Sequence, residues 1–213
     1  MRQACSPRGI AALMAHEGIV PAPYRDAAGI WTFGIGHTAA AGAPDPARMP
    51  RGMPTDLDAA LARAVQLFAA DLARHAAEVA AALAVPVAAH EFDAAVSFHF
   101  NTGAIARADW VRRLNAGDRP GAAAAMMNWT RPAALRPRRE AEQRLFRDGI
   151  YPDQPVPVWQ VDTAGRVRWQ PLRQLSPEAA AALVQAPAKA PPAPGWIDAL
   201  VRAAARLLAG RVA

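Results

Sequence analysis

A second cysteine is missing from this chain, and with it any intrachain disulfide. Cys5 alone permits folding in a reducing compartment, and with no activating partner suggested nearby it reads as an inert thiol rather than a nucleophile. Lysine is almost absent as well: Lys189 is the only one, so arginine carries a formal net charge of +6 and a pI of about 10.8. No apolar run reaches the roughly 18 residues of a transmembrane helix. The N-terminus lacks a signal-peptide pattern, because the apolar run Ile10 to Ala15 is short and ends at His16-Glu17. His16, His37, His75, His90 and His99 show no metal-ligand spacing, which argues against a zinc site. Gly34-Ile35-Gly36 lacks the third glycine of a dinucleotide turn, and no Ser or Cys nucleophile comes with a base and an orienting group. No cofactor is implied.

What remains is informative. The 213 residues suit one domain with an appendage, and 53% hydrophobic content dominated by alanine at helical spacing predicts an α-rich protein. The positive charge favours polyanionic partners, among them nucleic acid, bacterial cell walls and lipopolysaccharide. Ser6-Pro7 predicts a helix start, Ile10, Leu13 and Met14 an apolar stripe, and Gly18 a stop. Glu17 then falls in the last turn, where the helix dipole opposes ionisation and raises its pKa, as suits a general acid. Tyr24-Arg25-Asp26 and Ile30-Trp31-Thr32-Phe33, separated by Ala27-Ala28-Gly29, predict a hairpin with Asp26 across from Thr32, so that the two flank one water. One protonated and one ionised carboxyl across a cleft is the chemistry of glycoside hydrolysis. Taken singly, each residue also has a plain structural reading: Glu17 caps a turn, Asp26 forms one, and Thr32 is an ordinary strand residue.

The combination is more specific. Glu17, eight residues, Asp26, five residues, Thr32, followed by Gly34-Ile35-Gly36-His37-Thr38, resembles the active-site signature of phage-type lysozymes, glycoside hydrolase family 24. "LFAAD" at 67 to 71 is similar to part of that family's long helix, "VSFHFNTG" at 96 to 103 to its buried central helix, and "RPRREAEQRLFRDGIY" at 136 to 151 to its closing basic helix. The resemblance covers about residues 5 to 151 and implies an α+β, predominantly helical, lysozyme-like two-lobed fold, with a small β-hairpin lobe, a long connecting helix and a helical lobe. It implies Glu17 as general acid, Asp26 as the carboxylate that helps activate water, and Thr32 as the residue orienting that water. The implied reaction is hydrolysis of the β-1,4 bond between N-acetylmuramic acid and N-acetylglucosamine with inversion, which needs carboxyls about 6.5 to 9.5 Å apart. By the same resemblance His37 pairs structurally with an acid on the long helix, Asp71 by alignment, against the alternative of a direct catalytic role. Thr38, Phe100 and Asn101 match positions near the saccharide cleft, although Phe100 could equally be core.

The expected organisation is a lysozyme-like catalytic domain over 1–151, a Trp-containing hairpin-like extension over 152–175, an Ala/Pro-rich linker over 176–195 and an amphipathic helix over 196–213. Within the first part, 39–55 reads as a loop, Thr55-Asp56 caps a long helix to about Leu83, and shorter helices follow near 90–101, 108–115, 121–128 and 138–147. In the extension, Trp159 is expected opposite Trp169 and Val161 opposite Val167, as a mini-core or a sugar-stacking pair. The cluster Arg136, Arg138, Arg139, Arg144 and Arg147 reads as a solvated helix face or as an attraction to the anionic envelope. The expected function is therefore a bacteriolytic muramidase, an endolysin acting on peptidoglycan glycan strands and not on nucleic acid. It would be a monomer made in the host bacterial cytoplasm and released through a holin to periplasmic peptidoglycan, with a C-terminal helix suited to peripheral membrane contact. The alternative is a non-catalytic peptidoglycan-binding or particle-associated structural protein.

Overall fold

The computed structural model describes residues 3–185; the helix expected at 196–213 and the part of the expected 176–195 linker from 186 on lie outside the described residues, while Pro177–Gln185 of that expected linker is a helix with Ala179, Ala180, Ala181 and Leu183 buried. The chain divides into two compact units. A helical unit holds the residues up to Leu13 together with Leu72–Asp153, and a hairpin unit holds Met14–Asp71 with the described residues from Gln154 on.

Helix α1 (Pro7–Glu17) starts because Ser6 Oγ accepts the Gly9 N–H at 3.0 Å and Pro7 fits the first turn. It stops at Gly18, whose φ of 68° is open to glycine and whose N–H closes on the Met14 carbonyl at 2.8 Å. In the hairpin unit, β1 (Val20–Arg25), β2 (Trp31–Gly34) and β3 (His37–Thr38) form an antiparallel sheet in the order β1-β2-β3. Helix α2 (Leu57–Ala82) begins at Asp56, whose carboxylate accepts the Ala59 N–H at 2.9 Å. Leu61, Ala64, Val65 and Phe68 lie on one face of α2 and are buried in the hairpin unit's core with Phe33 and Ile35.

The extension forms a second antiparallel hairpin, β4 (Val156–Val161) with β5 (Val167–Leu175), followed by α7 (Pro177–Gln185). It belongs to the hairpin unit and joins its first strand through the main chain. Ile19 N–H donates to Pro157 O at 2.9 Å, Trp159 N–H to Ile19 O at 2.8 Å, and Arg25 N–H to Gly165 O at 2.8 Å. Val161 pairs with Val167, but Trp159 pairs with Pro171 and not with Trp169. Register shifts on both sides of Trp159 leave Leu172, and then Trp169 and Gln170, as extra residues on β5, a bulged strand whose irregularities a period-two reading misses. The two indoles still meet edge to face, with ring centroids 5.3 Å apart.

The helical unit packs α3 (Ala89–Thr102), α4 (Asp109–Asn115), α5 (Arg119–Met126) and α6 (Arg136–Asp148). Helix α3 is buried from Glu91 to His99, so its polar residues all need partners. Asp93 accepts from Ser6 N at 2.9 Å and from the Tyr151 hydroxyl at 2.7 Å. Ser97 Oγ donates to Glu142 Oε1 at 2.7 Å, and His99 Nε2 lies 2.6 Å from Glu78 Oε2. Phe98 makes edge-to-face contacts with Trp110 and Trp129, each at 5.2 Å. Burial, reinforced by Asp93, pushes the Cys5 thiol far above its usual range, which keeps it protonated and weakly nucleophilic. Among the described residues no helix is long and apolar enough to cross a membrane.

Candidate active site

Glu17, Asp26, Thr32, His37, Thr38 and Asp71 all fall in the hairpin unit. Glu17 is the last residue of α1 and is half-buried. Thr32 sits in the middle strand, buried, with Tyr24 as its cross-strand partner on β1 and Thr38 on β3. The expectation that Asp26 lies directly across from Thr32 is corrected by the register. Asp26 N–H donates to Ile30 O at 3.0 Å, so Asp26 and Ile30 close the turn and Thr32 falls opposite Tyr24. Asp26 is then a diagonal neighbour of Thr32 on the same face, a separation on the order of 7 Å that leaves room for a water between the two side chains. Thr32 Oγ1 donates its proton to Ile30 O at 3.2 Å, so the oxygen's lone pairs are what it can offer to a water or a sugar hydroxyl.

Asp26 is fixed by the turn it builds. Its Oδ1 accepts the N–H groups of Ala28 at 2.9 Å and Ile30 at 2.8 Å, while its carbonyl accepts Gly29 N–H at 2.9 Å. The second hairpin repeats the arrangement: Asp162 Oδ1 accepts from Ala164 at 2.9 Å and Arg166 at 3.0 Å, and its carbonyl from Gly165 at 3.0 Å. Asp-x-Ala-Gly is thus a turn recipe used twice, and the difference lies in the residue after glycine. At 166 an arginine holds Asp162 Oδ2 at 3.0 Å, and the Arg166 backbone N–H with this guanidinium keeps the carboxyl below the usual carboxylate range. At 30 an isoleucine stands instead and can pair with no charge.

Tyr24 is the residue that sequence reasoning missed. Burial first, then the negative charges of Glu17 and Asp26, push its hydroxyl well above the usual tyrosine range. Tyr24 occupies the strand position facing Thr32, and its phenol stays neutral there. The signal was available in the sequence, since Tyr24 shares strand parity with Asp26, but it required the correct register.

His37 Nδ1 lies 2.8 Å from Asp71 Oδ2, and Nε2 lies 3.1 Å from Pro44 O, with His37 and Asp71 both buried. The pair ties β3 and the loop after it to α2. We expect Asp71→Asn to cost about 1–3 kcal/mol, a fall in melting temperature of about 2–12 °C, with most hydrolytic activity kept. Calorimetry beside a turbidity assay checks this, and an unchanged melting temperature or a lost activity would contradict it.

Phe100 and Asn101 belong to the helical unit. The Phe100 ring packs 4.8 Å from that of His75, and Asn101 Oδ1 accepts from Arg139 Nη2 at 2.8 Å. In the hairpin unit a concavity of about 480 Å³, lined by Pro21, Phe33, Met53, Asp56 and Arg63 among others, contains none of Glu17, Asp26 or Thr32.

The fold is lysozyme-like. Among solved structures the chain is similar to an endolysin from Escherichia coli O157:H7 phage FAHEc1, with 31% identity and a TM-score of 0.59 over 71% of this chain and 97% of that one. It is also similar to the muramidase domain of SpmX from Asticaccaulis excentricus, with 30% identity and a TM-score of 0.57 over 68% of this chain and 99% of that one. The endolysin of Salmonella phage P22 is 32% identical over 147 residues, a match spanning 66% of this chain and 96% of the relative. The phage lysozyme family model matches residues 14–142, and the chain belongs to that family. The match ends before β4 begins at Val156, so the second hairpin lies beyond it.

Proposed function

We propose that this protein is a muramidase that hydrolyses the β-1,4 bond between N-acetylmuramic acid and N-acetylglucosamine of peptidoglycan, and that it serves as the endolysin of a phage or phage-like particle. The observation that carries the reading is the family match over 14–142, a span that contains Glu17, Asp26 and Thr32. Glu17 protonates the departing sugar oxygen from the end of α1. Asp26, anchored by its turn, orients and helps deprotonate a water that Thr32 Oγ1 holds as an acceptor, and displacement from the opposite face inverts the anomeric centre. Tyr24, which keeps its proton, offers a neutral hydrogen bond beside the two carboxyls. His37 and Asp71 hold the sheet, and Thr38 beside them contributes to glycan contact. The protein acts as a monomer, made in the host cytoplasm and released to the wall through a holin.

The test is digestion of purified sacculi by the wild type and by Glu17→Gln, with mass spectra of the released muropeptides before and after reduction of their ends. Reducing N-acetylmuramic ends from the wild type, and a rate lower by about 10²–10⁴-fold in the variant, are expected. Anhydro ends would assign a lytic transglycosylase, and no release by folded wild type would favour a binding or structural role.

A further inference from the structure

The second hairpin is grafted onto the hairpin that carries Asp26, and its contacts reach the neighbour of Glu17. A Cβ added to Gly18 would lie 2.5 Å from Trp159 Nε1, so the indole of Trp159 rests against the residue that follows Glu17. At the other end of the hairpin, a Cβ on Gly165 would lie 2.6 Å from the Trp31 ring, which Arg51 covers at 3.5 Å and Arg25 at 4.6 Å. With the three main-chain hydrogen bonds to Ile19 and Arg25, these contacts fix β4 and β5 against the sheet as one piece.

On this braced strand pair Trp169 is the most exposed large apolar side chain among the described residues. Trp169 is 77% exposed, whereas the core of the hairpin is made by Val20, Ala22 and Val161 with Trp159 and Val167 packed against them. The bulge at Trp169 and Gln170 is what turns the indole outward, and the edge of Trp159 holds it from one side. Arg168 beside it is exposed too. An indole face is electronegative and flat, and it matches the polarised C–H groups on one face of a pyranose ring. A guanidinium on the neighbouring residue suits the carboxylates of the stem peptides.

We propose that the β4–β5 hairpin is a glycan-binding element fused to the active-site sheet, with Trp169 stacking on an amino sugar of the peptidoglycan strand and Arg168 attracting its carboxylates. The assignment rests on the muramidase reading above. Continuity runs from Glu17 through Gly18 and Trp159 to Trp169, so a strand engaged at the catalytic carboxyl and extended along the hairpin meets the exposed indole. The hairpin lies outside the family match.

The experiment measures binding of the full chain to purified sacculi by co-sedimentation, in the Glu17→Gln background so that the strand is not cut. Trp169→Ala should weaken binding about tenfold, equivalent to about 1.4 kcal/mol, with Trp169→Phe in between, and Arg168→Ala should flatten the salt dependence. Because Trp169 is exposed, the melting temperatures of these variants should match that of the parent, and Trp169→Phe keeps the test valid if the alanine variant folds poorly. Equal binding by the Trp169 variants would overturn the proposal, while release of muropeptides by the wild type would leave the muramidase reading standing. Weaker binding to anionic phosphatidylglycerol vesicles, or loss of a dimer in light scattering, with sacculus binding unchanged, would reassign the indole to a membrane or to a second copy. Failure of both wild-type release and parent binding would overturn both readings together.

Discussion

Asp26→Asn should lose about 10²–10⁴-fold in the rate of sacculus hydrolysis and keep its fold, whereas Asp26→Ala should lose both activity and stability. The asymmetry follows from the two jobs that one side chain holds. The carbonyl oxygen of an asparagine can still accept the N–H groups of Ala28 and Ile30, so the turn survives with the charge removed. Alanine removes the acceptor and leaves two turn amides without it, at about 1–3 kcal/mol. The second hairpin gives a comparison: Asp162→Ala breaks the same pair of bonds, to Ala164 and Arg166, together with the Arg166 guanidinium contact, and should cost at least as much. Melting curves for the three variants, read beside sacculus digestion, separate turn from chemistry. Full activity in Asp26→Asn would remove the carboxylate from the proposed mechanism and leave Asp26 as a turn residue.

The starts of the elements were legible because helix caps are local chemistry. Ser6-Pro7 and Asp56 mark the beginnings of α1 and α2 through bonds to Gly9 and Ala59 within the next turn, and nothing distant is needed to read them. Registers were less legible. The three-residue loop Ala27-Ala28-Gly29 was correctly bounded, but Asp26 and Ile30 close it, so the partner of Thr32 moves from Asp26 to Tyr24. The Trp159 register failed for a different reason, since the bulges on β5 depend on support from the rest of the unit rather than on local propensity. The joining of β4 to Ile19 was invisible in sequence because main-chain hydrogen bonds leave no residue-type signature. The arginine-rich stretch at 136–147 also looked uniform in sequence, yet its members divide sharply. Arg136 pairs with Glu140 on the surface, while Arg139 is fully buried. Period 3.6 separates the two faces, but it does not announce that one arginine will be an interior residue.

That buried arginine carries the largest stability effect we expect. Arg139 and Glu142 pair directly inside the helical unit, at 0% and 1% exposure. Every remaining bond of the pair is with groups of the same unit: Arg138 Nε donates to Glu142 Oε1 at 3.0 Å, Ser97 Oγ to the same oxygen at 2.7 Å, and Arg139 to Trp129 O at 3.3 Å and Asn101 Oδ1 at 2.8 Å. The guanidinium also stands 4.7 Å over the Phe98 ring. Burial pulls the Arg139 pKa down and Glu142 opposes that pull, so the acid is what makes the interior charge tolerable. Removing one partner of a buried pair strands the other and costs about 3–5 kcal/mol. Glu142→Ala should therefore lower the melting temperature by about 6–20 °C, far more than Glu140→Ala on the exposed face of α6. Glu142→Gln should fall between the two, because it keeps hydrogen bonding to Ser97 and Arg138 but not the charge. If Glu142→Ala and Glu140→Ala melt alike, loss of Glu142 does not strand Arg139, and the buried pair lacks the effect assigned to it.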